Sequence, residues 1–289
     1  MQRGILLILL AAILWGTTGF SARFINDIYP LSPLTIGAWR LLFASPILIL
    51  ISFLSKGNQE PLQKKHLGIF LIYGVTVATY QLSFFSAVTL AMVSTATLIA
   101  ICTSPVFVAV LSRLFLQERL DTRVFMALVL SISGTVLIMD ICQLNFSLDT
   151  NHSLGYLLAL GAGLSYATYA VAGKSLLAHY SPLRIVSITF SLGALFMLPF
   201  IRVPADLPMA VWVVLLFLGV VPTALAYIIY TTGLKSTTAT NAAIASLFEP
   251  LTATFLALAF IGERLSWMQS MGAVLLFSAL FIISVRKTS

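Results

Sequence analysis

The sequence consists of apolar runs of roughly 20 residues separated by short polar stretches, and this feature limits the fold more than any other. A helix of about 20 residues crosses a hydrocarbon core that is ~30 Å thick. The unbroken run 5–14 excludes a membrane β-barrel, whose strands alternate apolar and polar residues. Only 9% of the residues are charged, whereas soluble proteins carry about 25%. The sequence therefore predicts an all-α integral membrane protein.

Polar residues divide the chain into ten candidate transmembrane helices. Their approximate bounds are 4–22, 32–54, 66–88, 92–112, 122–140, 153–173, 183–201, 209–233, 237–261 and 266–285. With the N-terminus in the cytoplasm, twelve Lys and Arg side chains fall on the cytoplasmic side, and Arg23, Arg202 and Arg264 fall on the other side. This bias follows the positive-inside rule. It predicts a multi-pass protein of the cell inner membrane with both termini in the cytoplasm, and it explains the net charge of +7 without a nucleic-acid partner.

The chain contains an internal repeat. A shift of 145 residues aligns residues 95–138 with 240–283 without a gap, and 14 of the 44 pairs are identical. The identical pairs include Glu118-Arg119-Leu120 with Glu263-Arg264-Leu265, and Pro105 with Pro250. A weaker match at a shift of 151 pairs Gly4 with Gly155 and Arg23 with Lys174. An odd number of helices in each repeat makes the second repeat enter the membrane from the opposite face. We therefore expect two inverted five-helix repeats, residues 1–146 and 147–289, with a substrate site near the midplane.

Several motifs resemble the EamA-type family of the drug/metabolite transporter (DMT) superfamily. They are Trp15-Gly16 in the first span, Trp39-Arg40-Leu41-Leu42 in the second, and the two patterns of a proline followed by Glu-Arg that end spans four and nine. The resemblance covers nearly the whole chain. It implies ten helices in two inverted repeats, a central cavity, and export or exchange of small metabolites.

Ionisable side chains inside a membrane span are costly, and they are functional candidates by default. Glu249 is a candidate proton carrier or counter-charge for a cationic substrate, and Arg40 is a candidate anchor for a carboxylate. The alternative is that the two side chains pair with each other or with backbone carbonyls and only fix helix packing. At the equivalent position of the first repeat, Ser104 stands in place of Glu249.

Polar and aromatic residues near the middle of the spans complete the predicted substrate-binding set. The set consists of Trp15, Thr18, Arg40, Tyr80, Gln81, Tyr227 and Glu249. Aromatic rings with a polar tip suit an amphipathic metabolite, because they offer stacking area, cation–π attraction and a hydrogen bond. Tyr166 and Tyr169 are weaker candidates, and the alternative for all these rings is a role in interfacial belts or helix packing.

Pro105 and Pro250 are predicted hinges, since a mid-helix proline frees the carbonyl four residues earlier. A static bend is the alternative. Glu118 and Arg119 are expected to pair locally or to cap helix ends, with a gate salt bridge as the alternative.

The function expected from these features is secondary transport, namely export or exchange of amino acids or related small amphipathic metabolites, with a proton gradient or substrate exchange as the energy source. A passive facilitator or channel and an integral-membrane enzyme are the alternatives. No Walker-type phosphate loop, His-Glu-x-x-His or Gly-x-Ser-x-Gly motif occurs in the sequence, and Cys102 and Cys142 have no metal-site spacing. We therefore expect no enzymatic activity, cofactor or metal. The expected partners are a small-molecule metabolite and the lipid bilayer, with the chain a monomer or homodimer.

Overall fold

The structure is a computed structural model that describes residues 3–55, 61–91, 93–139, 149–201, 206–261 and 266–285. Five residues named in the sequence analysis lie outside these ranges, namely Cys142, Arg202, Glu263, Arg264 and Leu265. The described part contains helices and connections but no strand.

Twelve α-helices make up the described part. They are α1 (Arg3–Ile28), α2 (Pro33–Leu54), α3 (Leu67–Leu90), α4 (Val93–Leu111), α5 (Thr122–Ile138), α6 (Thr150–Leu176), α7 (Pro182–Met197), α8 (Met209–Gly219), α9 (Ala226–Lys235), α10 (Ala239–Ser246), α11 (Phe248–Ile261) and α12 (Trp267–Ser284). A π-helix, Val220–Leu225, joins α8 to α9, and another, Ser112–Leu116, extends α4. The α10 and α11 helices follow each other after one residue.

Nine helical segments of the described residues are long and apolar enough to cross a membrane, and α5, at 17 residues, is just below that length. Polar residues cap several starts: the side chain of Ser32 accepts from Thr35 N–H, and that of Asp149 accepts from His152 N–H. The prediction of an all-α membrane protein is confirmed. The first helix continues six residues beyond its predicted C-terminal end, so Arg23 lies within α1 and not in a connection.

The ten spanning segments of the described part are α1 to α5 in the first half and α6, α7, α8 with α9, α10 with α11, and α12 in the second half. Contacts made by segments of the first half have counterparts in the second half. The α3 helix packs on α6, and α9 packs on α1. Similarly, α4 packs on α6, and α11 packs on α1. Two further pairs, α2 with α7 and α5 with α12, join a segment of one half to the segment at the same place in the other half.

Glycines allow the backbones of these pairs to approach closely. A Cβ added to Gly134 of α5 would lie 2.8 Å from the carbonyl oxygen of Gly272 in α12, and one added to Gly272 would lie 2.6 Å from that of Gly134. The α1–α9 pair has the same relation between Gly4 and Gly233, at 2.7 Å in both directions. Small residues are the usual contact between membrane helices, because apolar side chains gain little by leaving lipid.

We predict that Gly134→Ala lowers the stability of the protein by roughly 1–3 kcal/mol, because the new methyl group meets backbone atoms of α12 that cannot rotate away. Thermal unfolding in detergent measures this effect. Gly68→Ala is the matched control, since a Cβ at Gly68 would have no atom within 4 Å. Equal unfolding temperatures for the two variants would contradict the close contact.

Candidate functional site

A cavity of about 660 Å³ lies between the helices of the two halves. It runs from the middle of the spans to the end where α1 finishes and α4 begins. Arg23, Asn26 and Val93 line it there, and all three side chains are exposed. We call this end the mouth. The volume of the cavity is within the range of about 300–1,000 Å³ that is usual for small-molecule sites.

The cavity brings the predicted site residues together. Its lining includes Trp15, Thr18, Arg40, Tyr80, Gln81, Pro105, Tyr227, Glu249 and Pro250. The weaker candidates Tyr166 and Tyr169 line it as well, and so does Ser104. The predicted substrate-binding residues therefore share one cavity, and their role in binding stays a prediction.

Arg40 of α2 is buried, with 9% of its surface exposed, and its guanidinium is held by the π-helix between α8 and α9. The Nε atom donates a hydrogen bond to Thr223 Oγ1 at 3.1 Å. The Thr223 hydroxyl in turn donates to the carbonyl oxygen of Leu218 at 2.7 Å, five residues earlier. Thr223 lines the cavity, and the sequence analysis missed it because nothing distinguishes it from other threonines in apolar spans.

Glu249 stands in the first turn of α11, is partly exposed and lines the same cavity. Among the described residues, the only ion pair with a nitrogen–oxygen distance within 4 Å joins His152 and Asp149. Arg40 and Glu249 therefore do not form an ion pair with each other. They do interact electrostatically across the cavity. The interpretation that they pair with each other does not describe this arrangement, since both charges are presented to the cavity.

The two predicted hinge prolines differ in their surroundings. Pro105 lies inside the continuous helix α4. Pro250 follows a break, because α10 ends at Ser246 and α11 begins at Phe248. Each proline removes the donor that would bond to the carbonyl four residues earlier, residue 101 or residue 246, and the helix is interrupted just after residue 246. The break places Glu249 at the start of a helix that faces the cavity.

Aromatic side chains form much of the cavity wall. The ring of Trp15 lies 4.9 Å from that of Tyr227, whose ring lies 4.6 Å from that of Phe190 and 5.6 Å from that of Tyr169. These tilted contacts suit the quadrupoles of the rings. The sequence analysis missed Phe190, since a phenylalanine in an apolar span gives no sign of which way it faces.

A hydroxyl pair closes the wall beside Pro250. The Tyr166 hydroxyl donates to Ser246 Oγ at 3.0 Å, and Ser246 donates to the carbonyl oxygen of Ala242 at 2.9 Å. Among the described residues, no group of three His, Cys, Asp or Glu side chains could hold a metal ion. The inner part of the cavity thus offers one positive charge, one negative charge, hydroxyls and aromatic faces, and Arg23 adds a second positive charge at the mouth.

Comparison with known proteins shows which protein family the sequence matches. The sequence model of the EamA-like transporter family matches residues 2–140 and again 153–285. The "uncharacterized transporter YwfM" of Bacillus subtilis is 32% identical over 96% of this chain and 93% of its own length. The "uncharacterized inner membrane transporter YicL" of Salmonella typhimurium is 27% identical over 98% of this chain and 96% of its own. A solved crystal structure with a TM-score of 0.82 and 20% identity covers 97% of this chain and 96% of its own, and shares the fold.

We predict that Thr223→Val destabilises the protein by roughly 1.5–3 kcal/mol, because the buried Arg40 guanidinium loses a hydrogen-bond acceptor. Thermal unfolding measures the loss, and Thr223→Ser, which keeps the hydroxyl, should recover most of it. Thr232→Val is the matched control on the same segment, since its hydroxyl is exposed and bonds only to its own helix at Ile228. If Thr223→Val were as stable as this control, the hydrogen bond between Thr223 and Arg40 would contribute nothing to the stability of the protein.

Proposed function

The chain belongs to the EamA-like transporter family, and from this premise we propose that it is a secondary transporter that exports or exchanges amino acids or related small amphipathic metabolites. The observation that carries this proposal is the cavity, which presents Arg40 and Glu249 separately between the two halves and is lined by aromatic rings. Its substrates would cross the cytoplasmic membrane of the cell.

The separated charges favour a zwitterionic substrate. A guanidinium binds a carboxylate with directed hydrogen bonds, and a carboxylate in a site of low dielectric attracts an ammonium group. Tyr227 and Trp15 add apolar surface and cation–π attraction for the rest of the molecule. A solute with only one charge would leave the opposite side chain of the cavity without a partner, which is costly away from water.

Glu249 is also the candidate for proton coupling. Of the described residues that line the cavity, Glu249 is the only acidic one. A carboxyl group that binds a proton in one conformation and releases it in another couples transport to a proton gradient, because each state then carries a different charge.

The two halves are proposed to be inverted repeats, residues 1–146 and 147–289. Two observations support this: the family model matches twice, and the main helix contacts between the halves have counterparts, α3–α6 with α1–α9 and α4–α6 with α1–α11. With both termini in the cytoplasm, as the charge bias predicts, the mouth faces away from the cytoplasm. Alternating access would then reverse the opening around a fixed site.

A passive channel is the main alternative, and the shape of the cavity argues against it. The lining residues within the described ranges come from the middle of the spans and from the mouth, so the cavity has one open end. A channel needs a continuous path, whereas a carrier is open to one side at a time.

We predict that purified protein in liposomes exchanges a labelled zwitterionic amino acid and accumulates it when a proton gradient is imposed. Glu249→Gln should abolish the accumulation driven by the proton gradient while leaving exchange measurable, since the amide cannot carry a proton. Asp206→Asn is the control, because this carboxylate is exposed outside the cavity. Accumulation that survives in Glu249→Gln would exclude Glu249 as the proton carrier.

We also predict that Arg40→Ala raises the KM for a carboxylate substrate roughly tenfold or more, as expected for the loss of a hydrogen bond to a charged group. The amide of the same substrate serves as the comparison, because it has no carboxylate for Arg40 to bind. Equal losses for acid and amide would show that Arg40 supports the fold and does not recognise the carboxylate.

A further inference from the structure

The end of the cavity opposite the mouth is closed where the connection from α9 to α10 meets the ends of the α4 and α6 segments. Two charged side chains, Glu118 and Lys174, hold this connection from either side. We call this end the latch face. Lys65, just before α3, lies at the same end, since α3 runs from there to Val88 at the mouth.

Glu118 binds the start of α10. One carboxylate oxygen accepts from Ala239 N–H at 2.6 Å, and the other accepts from Thr240 N–H at 3.1 Å and from Thr240 Oγ1 at 2.8 Å. Residues 118 and 239 are 121 positions apart, so this cap joins two distant helices. Of the two expectations for Glu118, a local pairing and a helix cap, the structure shows the cap. A negative charge at the positive end of a helix makes such bonds strong.

The backbone conformation of Gln117 directs the side chain of Glu118 towards α10. Gln117 has a φ of 55°, in the left-handed region that non-glycine residues rarely adopt. This turn ends the π-helix, and the Glu118 N–H donates back to the carbonyl oxygen of Ser112 at 3.2 Å. A costly backbone conformation is thus held at the residue that positions the carboxylate.

Lys174 binds the end of α9. Its Nζ donates to the carbonyl oxygens of Leu234 at 2.8 Å, Lys235 at 3.3 Å and Thr237 at 2.6 Å. These carbonyls form the negative end of the helix and the turn that follows it, where a cation is favoured. Lys174 and Glu118 also attract each other electrostatically. Together they fix both ends of the connection between α9 and α10.

The corresponding residues at the mouth make no such contacts within the described part of the chain. Arg23, the counterpart of Lys174 at a shift of 151, is exposed and lines the mouth. Thr95, the counterpart of Thr240 at a shift of 145, is fully buried, and its hydroxyl has no hydrogen-bond partner among the described residues. Among the described residues, the contacts that Lys174 and Thr240 make at the closed end are therefore not repeated by Arg23 and Thr95 at the open end, and Glu263, the counterpart of Glu118, lies outside the described residues.

We propose that Glu118 and Lys174 form a latch that keeps the cavity closed at the latch face, and that its release opens the cavity there. The latch controls access to the proposed transport site. The closure itself does not depend on the proposed function, and only the effect of the latch on transport rests on it. The carboxylate and the ammonium hold a connection that must separate from α4 and α6 before a solute could pass.

Cysteine accessibility tests the latch without any substrate. Ser104→Cys, placed in a background without Cys102 and Cys142, puts a thiol of similar shape in the middle of the cavity. Lys65→Cys, measured separately, identifies the vesicle orientation that exposes the latch face. A membrane-impermeant polar maleimide is then added to right-side-out and inside-out vesicles.

We expect the Ser104→Cys thiol to react from the mouth and to be protected from the latch face. Glu118→Ala and Lys174→Ala should each raise the reaction rate from the latch face about tenfold, in line with the loss of hydrogen bonds to a charged group. Lys235→Ala is the matched control, because it belongs to the same connection but its exposed side chain makes no latch contact. It should leave the rate unchanged.

Thr240→Val keeps the test decisive if the charge variants do not fold, because it removes one of the three bonds to Glu118 and keeps the backbone cap. It should give a smaller increase, and Thr240→Ser should give none. If well-folded Glu118→Ala, Lys174→Ala and Thr240→Val all keep the thiol protected from the latch face, the latch is wrong. A protein that shows the labelling pattern but transports no amino acid would instead overturn the proposed function.

Discussion

The backbone of a membrane-spanning chain must satisfy its hydrogen bonds without water, and the remaining features of this structure depend on that constraint. Regular helices meet it along most of the chain. Two departures, the π-helix Val220–Leu225 and the break between α10 and α11, lie beside the cavity, whereas the π-helix Ser112–Leu116 lies outside the cavity lining. At the first, the Thr223 hydroxyl bonds to the Leu218 carbonyl oxygen and also holds Arg40. The irregular backbone and the charged side chain therefore stabilise each other at the same place.

The same constraint separates the scaffold from the site. Glycine contacts such as Gly134 with Gly272 allow backbones to meet outside the cavity lining, and they tolerate no added carbon atom. The cavity wall uses large rings and a few polar groups, which can change without altering how the helices cross. A fold of this kind can thus keep its helix contacts while its cavity accepts different solutes.

The helices could be predicted from the sequence because hydropathy and polar punctuation are local properties of the chain. Arg40 and Glu249 could be predicted as candidates because an ionisable group in a span is rare. Thr223 and Phe190 could not, since their importance depends on which helix faces converge. The partner of Glu118 could not be found either, because a cap formed across 121 residues leaves no mark in the local sequence. The internal repeat carries the strongest long-range information in the sequence, since it relates positions about 145 residues apart.

The difference between Ser104 and Glu249 has an evolutionary consequence. In this structure Ser104 bonds to the carbonyl oxygen of Ala100 at 2.6 Å, while Glu249 presents a carboxylate to the cavity from the other half. Two identical halves, each with a glutamate at this position, would place two like charges in one enclosed space, and at least one would be forced to stay neutral. If the halves are the two copies of the proposed repeat, joining them in one polypeptide removes that restriction, because each copy can then mutate independently. Covalent fusion would thereby make a single, asymmetric charge available to the proposed two-repeat scaffold.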